Sequence, residues 1–316
     1  MNAYHAPSWL PGSHAQTIYP LLIKGSAPAY RRERWETPDG DFIDLDWVDG
    51  PSTAPLVVLF HGLEGSSASH YAISLMHSVK QKEWCGVVVH FRGCSGESNR
   101  LPRAYHSGDT EEIDWILRRL RGRFPQRQIH TAGVSLGGNA LLKWLGEQGS
   151  AAAAVVTAAA AVCAPLDLTA CGHHLGHGFN RVYTTRFLHT LKRNVALKLT
   201  RFPDCIDEKR MWAASSLYAF DDAVTAPLHG FRDVEDYWLR ASAKPLLGSI
   251  AVPTLLLNAR NDPFMPPAVL PHSHDVSRAV TLELPQEGGH VGFVTGRFPG
   301  RLNWLPQRLL HYFSGV

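Results

Sequence analysis

The residues best suited to chemistry lie in QIHTAGVSLGG, Gln128 to Gly138, where Ser135 stands between Gly133 and Gly137 in a G-x-S-x-G pattern. A serine hydroxyl is a useful nucleophile when it is held clear of its strand, beside a base, with N–H groups facing the oxyanion that develops on the attacked carbonyl. A sharp strand-to-helix turn does this, and glycines two residues before and after relieve the crowding because they lack Cβ. The pattern is a known motif, and alone its five residues also fit a plain small-residue turn. The functional reading therefore requires an oxyanion loop upstream, then an acid and a histidine downstream, in that order.

An acid and a base follow in the required order. Asp262, in NARNDPFMP, comes just after the apolar run Leu255 to Asn258. A carboxylate in a turn past a strand end can reach an imidazole, although Asn-Asp-Pro is also an ordinary turn. Asp167 is the rival acid, one strand earlier. His290, in PQEGGHVGF, follows the run Val280 to Leu284, and its flanking glycines are expected to let the histidine loop approach the serine. The imidazole would take the serine proton and return it to the leaving group, while the carboxylate fixes tautomer and orientation. Activity should then fall as pH drops through the ordinary imidazole range, near ~6.5. The oxyanion donors expected are the N–H of Leu136, directly after the nucleophile, and that of Leu63 in HGLEGSS, with His61 shaping the loop rather than serving as a second base.

Three other patterns have weaker chemical claims. Cys94-Ser95 lies between glycines, but no helix opens directly behind it, so a strand-end turn accounts for it better. Cys171, His173, His174 and His177 form a local cluster without H-E-x-x-H or paired-cysteine spacing, which argues against zinc. Gly62 to Gly65 lacks the Lys-Ser/Thr ending of a phosphate-cradling loop.

Positioning such residues takes strands that end on one edge. LVVLF (56–60) and GVVVHF (86–91) are continuous apolar runs of the kind buried on both faces of a sheet. The elbow strand begins at Ile129, the alanine-rich stretch Ala151 to Val162 reads as a further strand, and 253–258 and 280–284 add two more. Helices are expected at 69–82, at 109–120, where acids come first and bases last, after the elbow over 139–145, and at 302–313. A hairpin, 34–37 and 42–48, turns at Pro38-Asp39-Gly40. Residues 1–30 read as an ordered arm anchored by Trp9, Leu10 and Ile18. Strands alternating with helices make a mostly parallel, doubly wound sheet, whose ligands lie beyond the carboxyl ends of the strands. Residues 165–250 break the alternation with helix-like stretches and read as a cap inserted after a core strand.

The 316 residues, 45% hydrophobic and 19% charged, can bury a sizeable core. A formal charge of +3 with scattered bases gives no nucleic-acid footprint, and the bases of 118–123 fall where a helix would end. Five cysteines without paired spacing, and a start (1–11) lacking a basic, apolar leader, point to a reducing, cytoplasmic setting. The longest apolar run, 151–164, is too short to span a bilayer.

Taken together, HGLEGSS, FRGCSG, YHSGDTEEI, AGVSLGGN, NARNDPFMP and GGHVGF resemble the α/β-hydrolase superfamily. With the amino-terminal LPGSHAQTIYP, they resemble more narrowly the AB hydrolase 4 family of esterase-type proteins, a likeness running from about Trp9 to Phe293. The resemblance implies an α/β-hydrolase fold and a Ser–Asp–His charge-relay triad, carried onto Ser135, Asp262 and His290. It also implies hydrolysis of carboxylic esters, of short- to medium-chain acyl or lipid-like kind; the residues themselves call for no cofactor and no metal. The expected organisation is a core of 1–164 and 251–316, including the arm 1–30, with a helical cap of 165–250. The expected partner is a small-molecule acyl ester, with no nucleic acid and no stable membrane insertion. Acyl transfer or thioester cleavage would use the same triad, and a non-catalytic binding protein on this fold is the reading from another class.

Overall fold

The strands of the computed structural model, which describes residues 3–316, are β1 (Arg31–Glu36), β2 (Phe42–Val48), β3 (Leu56–Phe60), β4 (Cys85–Val89), β5 (Ile129–Val134), β6 (Ala158–Val162), β7 (Thr254–Leu257) and β8 (Val280–Glu283). They form one sheet in the order β1-β2-β4-β3-β5-β6-β7-β8. Every neighbouring pair from β4 to β8 is parallel, and β1 and β2 add an antiparallel edge. The helices are α1 (Ser13–Ile18), α2 (His70–Gln81), α3 (Thr110–Arg123), α4 (Leu136–Gln148), α5 (Leu168–Leu175), α6 (Arg181–Leu199), α7 (Glu208–Ala213), α8 (Leu217–Phe220), α9 (Ala226–Leu228), α10 (Val234–Ala241) and α11 (Trp304–Ser314).

Alternation along β3 divides the core. Leu56, Val58 and Phe60 face α3 and α4, whereas Val57 and Leu59 face α2 and α11, because successive strand side chains point to opposite faces. Both faces are covered by helices, which is why these strands read as unbroken apolar runs. The chain leaves β3 toward β4 and returns to β5 on the other side of β3. Loops diverge at such a switch point and leave a crevice at the carboxyl ends. Phe60 pairs with Gly133, Val134 with Val162, and Val162 with Leu257, so the loops after β3, β5, β6 and β7 start from one edge.

Three local expectations need correction. The alanine-rich stretch is not one strand: Gly149–Ala154 is a 3₁₀ helix and only Ala158–Val162 pairs. The small side chains of β6 are all buried, and the start of α4 comes close just past the strand, where a Cβ on Gly138 would lie 3.1 Å from that of Ala164. β2 alternates apolar and acidic residues yet is buried throughout. Arg34 clamps Asp44, and Arg32 with His90 clamps Asp46, so the acids are covered by cross-strand partners. In the arm, Leu10 is buried, but Ile18 is 37% exposed. α1 turns Gln16 and Thr17 inward instead. The elbow helix starts at Leu136, directly after the serine, not at Asn139.

Between β6 and β7 the chain forms α5 to α10 and no strand. These helices hold satellite clusters of their own, one around Leu188, Met211 and Phe220, the other around Val234, Tyr237 and Trp238. Among the described residues no helix is long and apolar enough to cross a membrane.

Candidate active site

Ser135 sits at the junction of β5 and α4 with φ 52° and ψ −119°, a region that non-glycine residues avoid. Holding it there costs on the order of 1–3 kcal/mol, which the sheet around it offsets: the Ser135 N–H donates to Val162 O at 2.8 Å. The neighbouring glycines are steric necessities. A Cβ on Gly133 would overlap Gly137 O, and one on Gly137 would lie 2.5 Å from His61 O.

The structure brings Ser135, His290 and Asp262 into one hydrogen-bonded chain. His290 Nε2 lies 3.0 Å from Ser135 Oγ, and His290 Nδ1 lies 2.8 Å from Asp262 Oδ2. The Asp262 side chain is 1% exposed and its other oxygen accepts the Phe264 N–H at 2.8 Å. With Oδ2 on Nδ1, the imidazole keeps that proton and offers Nε2 as acceptor to the serine. Phe264 stacks on the imidazole at 3.9 Å between ring centres. Asp167, the rival acid, is instead the N-cap of α5, accepting the Ala170 N–H at 3.0 Å.

The glycines around His290 have a different neighbour from the one expected. A Cβ on Gly289 would lie 2.8 Å from Thr17 Oγ1, and one on Gly292 would overlap Gln16 O, so the space is made for the arm and not for the serine.

The loop after β3 passes close to Ser135: a Cβ on Gly62 would lie 3.1 Å from that of Ser135. The Gly62 and Glu64 N–H groups donate to the hydroxyls of Tyr71 and Tyr105, at 2.9 and 2.8 Å. The Leu63 N–H between them has no acceptor among the described residues. The Leu136 N–H is the first of α4, where helical donors lack an internal partner. Fully buried His61 accepts the Phe91 N–H on Nε2 (3.1 Å), which leaves Nδ1 to donate to Gly62 O (2.7 Å). Burial lowers its pKa to about 3, so it stays neutral and serves as a brace.

The histidines of α5 do not gather into a metal site. His173 stacks against Tyr218 and His177 donates to His173 O. Among the described residues the one grouping of potential ligand atoms within 4.8 Å is Cys163, Asp262 and His290. Burial, then the Asp262 charge, raises the Cys163 thiol well above its ordinary range, so it remains protonated.

A cavity of about 440 Å³ opens over Ser135 and His290 and runs under the helices between β6 and β7, lined by apolar residues such as Leu175, Phe187, Leu191, Phe220 and Val224. Two polar features of its wall were not legible in the sequence. Glu64, its pKa raised by burial, accepts the Tyr105 hydroxyl and, from α6, the Asn194 amide at 2.9 and 2.7 Å. Asp221 accepts from Thr225 and Trp238, and burial lifts its pKa to about 6.

Residues 55–297 match the family model described as the alpha/beta hydrolase fold. The chain is 42% identical over 304 residues to the esterase-designated protein YheT of Escherichia coli (strain K12), covering 94% of this chain and 88% of that one. It is 32% identical over 315 residues to phospholipase ABHD3 of Mus musculus, covering 96% of this chain and 76% of that protein, in keeping with the AB hydrolase 4 resemblance. Among solved structures, a bacterial membrane phospholipase A superposes with a TM-score of 0.58 at 16% identity, over 90% of this chain and 86% of that one. That likeness concerns the fold alone. Identity of this extent along nearly the whole chain reflects common descent, and the protein belongs to the α/β-hydrolase superfamily.

Proposed function

We propose that the protein is a carboxylic ester hydrolase working through an acyl-enzyme on Ser135, and the observation that carries the reading is the continuous Oγ–Nε2 and Nδ1–Oδ2 hydrogen-bonded chain. His290 Nε2 accepts the hydroxyl proton as Ser135 Oγ bonds to the ester carbon. The oxyanion takes the Leu63 and Leu136 N–H groups, and Asp262 stabilises the imidazolium. Collapse breaks the ester C–O bond, and His290 returns the proton to the departing alkoxide. Water then adds to the acyl carbon while His290 accepts its proton, and the carboxylic acid leaves as Ser135 is reprotonated. The chain's own residues suffice for every step.

The apolar cavity supports an acyl or lipid-like ester, with residues 165–250 acting as the cap over it. Similarity to an esterase-designated protein and to a phospholipase points the same way. All five cysteines are free, which supports a reducing, cytoplasmic setting. The test is labelling by a fluorophosphonate probe together with turnover of a p-nitrophenyl acyl series. Wild type should do both, and a Ser135→Ala protein that still hydrolysed at the wild-type rate would sink the reading.

A further inference from the structure

We propose that Gln16 and Thr17 of the arm are positioning residues for this reaction, holding the histidine loop and the acid turn in register from outside the substrate cavity. The inference rests on the roles given above to Ser135, Asp262 and His290. Thr17 Oγ1 accepts the backbone N–H of His290 at 2.9 Å and donates to Ser13 O at 2.8 Å, so its hydroxyl is held from both sides. Gln16 is 1% exposed and uses its amide completely. Its Oε1 accepts from Gly288 N–H at 3.0 Å and Asn261 Nδ2 at 2.9 Å, while its Nε2 donates to Leu10 O at 3.1 Å and Glu287 Oε1 at 3.2 Å. That is the full capacity of a carboxamide, two acceptor sites and two donors. Asn261, the residue before Asp262, passes the restraint on by accepting the Gly289 N–H at 3.0 Å.

One buried amide therefore joins the turn that carries the acid to the loop that carries the base, and neither belongs to the arm. The loop needs such support because its own backbone is unfavourable, with Val291 at φ 61° and Phe293 at φ 44°. From the sheet side, His70 Nε2 donates to Val291 O at 2.9 Å and Cys163 Sγ accepts the Val291 N–H at 3.3 Å. Those contacts fix the following residue, while Thr17 fixes His290 itself.

The experiment compares Thr17→Val, Thr17→Ser and Gln16→Glu with wild type in three readouts: kcat and KM on a p-nitrophenyl ester, fluorophosphonate labelling rate, and the downfield proton resonance of the His290 imidazole N–H. The resonance is identified by its loss in His290→Gln. Valine keeps the shape of threonine without the acceptor, and glutamate sets an oxygen against Leu10 O and Glu287. A displacement of about 1 Å costs about 100-fold, so Thr17→Val and Gln16→Glu should lose about 10- to 100-fold in kcat with KM unchanged. The imidazole resonance should shift or broaden in both, and Thr17→Ser should recover rate and resonance. A folded Thr17→Val with wild-type kcat and an unmoved resonance would overturn the proposal, as would a Thr17→Ser protein as impaired as Thr17→Val. Should Thr17→Val not fold, Gln16→Glu is judged by the same two readouts. If wild type neither hydrolyses nor labels, yet the resonance moves in these variants, the hydrolase reading fails and the clamp stands.

Discussion

The loops at the carboxyl edge of the sheet and the helices between β6 and β7 face each other across one cavity, and they are built on opposite plans. The loops are fixed by buried polar contacts, with His61 braced at both ring nitrogens and Asp262 at both oxygens. The helices present apolar side chains to the cavity and rest on satellite clusters of their own. A few ties bind them to the floor, among them Asn194 to Glu64 and Lys198 Nζ to Pro102 O and Arg103 O, at 3.2 and 2.6 Å. Reacting atoms need sub-ångström placement, whereas a binding wall needs area and shape. On the function proposed here, the difference would leave bond breaking to the floor and the choice of acyl group to the roof.

That division can be broken or sharpened by experiment. Ser135→Ala should lower hydrolysis by about 10⁴-fold or more for every acyl length, with the thermal midpoint retained; a loss confined to some chain lengths would blur the distinction. Gly137→Ala should come next, because its methyl must displace His61 O, 2.5 Å away. We expect about 3 kcal/mol of lost stability by thermal unfolding and a rate reduced about 100-fold for all esters alike. Asp221→Asn tests the roof. Burial lifts the Asp221 carboxyl from 3.8 to about 6, so the folded state keeps a proton that the unfolded chain has already released. The contribution of Asp221 to stability should therefore fall by about 2–3 kcal/mol as pH rises from below 4 through 6, read as the difference between wild type and variant. The asparagine variant should lose that slope in paired melts, since its amide can still donate to Thr225 and accept from Trp238. The smallest effect belongs to Leu191→Ala, which should change kcat/KM for the longest acyl esters by about 10-fold and leave the acetyl ester as it was.

How much of this was readable from residues alone follows the same line. The meeting of Ser135, Asp262 and His290 could be anticipated because each stands on a backbone feature with its own spelling: glycines at fixed offsets, or a turn directly after an apolar run. The parallel sheet was readable for a similar reason, since strands buried on both faces have to be apolar throughout. Gln16 and Thr17 could not be assigned a task. A polar pair on a six-residue helix looks like surface until its partners are known, and the partner backbone N–H groups carry no sequence signature. The burial of Asp44 and Asp46 has no sequence signal for a related reason, because alternation does not reveal that arginines from the neighbouring strand will cover the polar face. The alanine-rich stretch was ambiguous because alanine suits helix and tight strand packing equally, and tertiary contact decided where pairing began.

The reach of the arm also bears on when activity can arise during synthesis. Thr17 meets His290 across 273 positions, and Gln16 meets Gly288 across 272. On a ribosome these two residues emerge long before the segment they hold, and contacts of such separation form late because the loop they close costs entropy first. The sheet from β1 to β7 can assemble while Gln16 still lacks Asn261, Glu287 and Gly288, and the nascent chain at that stage carries Ser135 without His290. On the roles proposed above, Ser135 would become reactive as a closing event of biosynthesis, once the two distant stretches of chain have met.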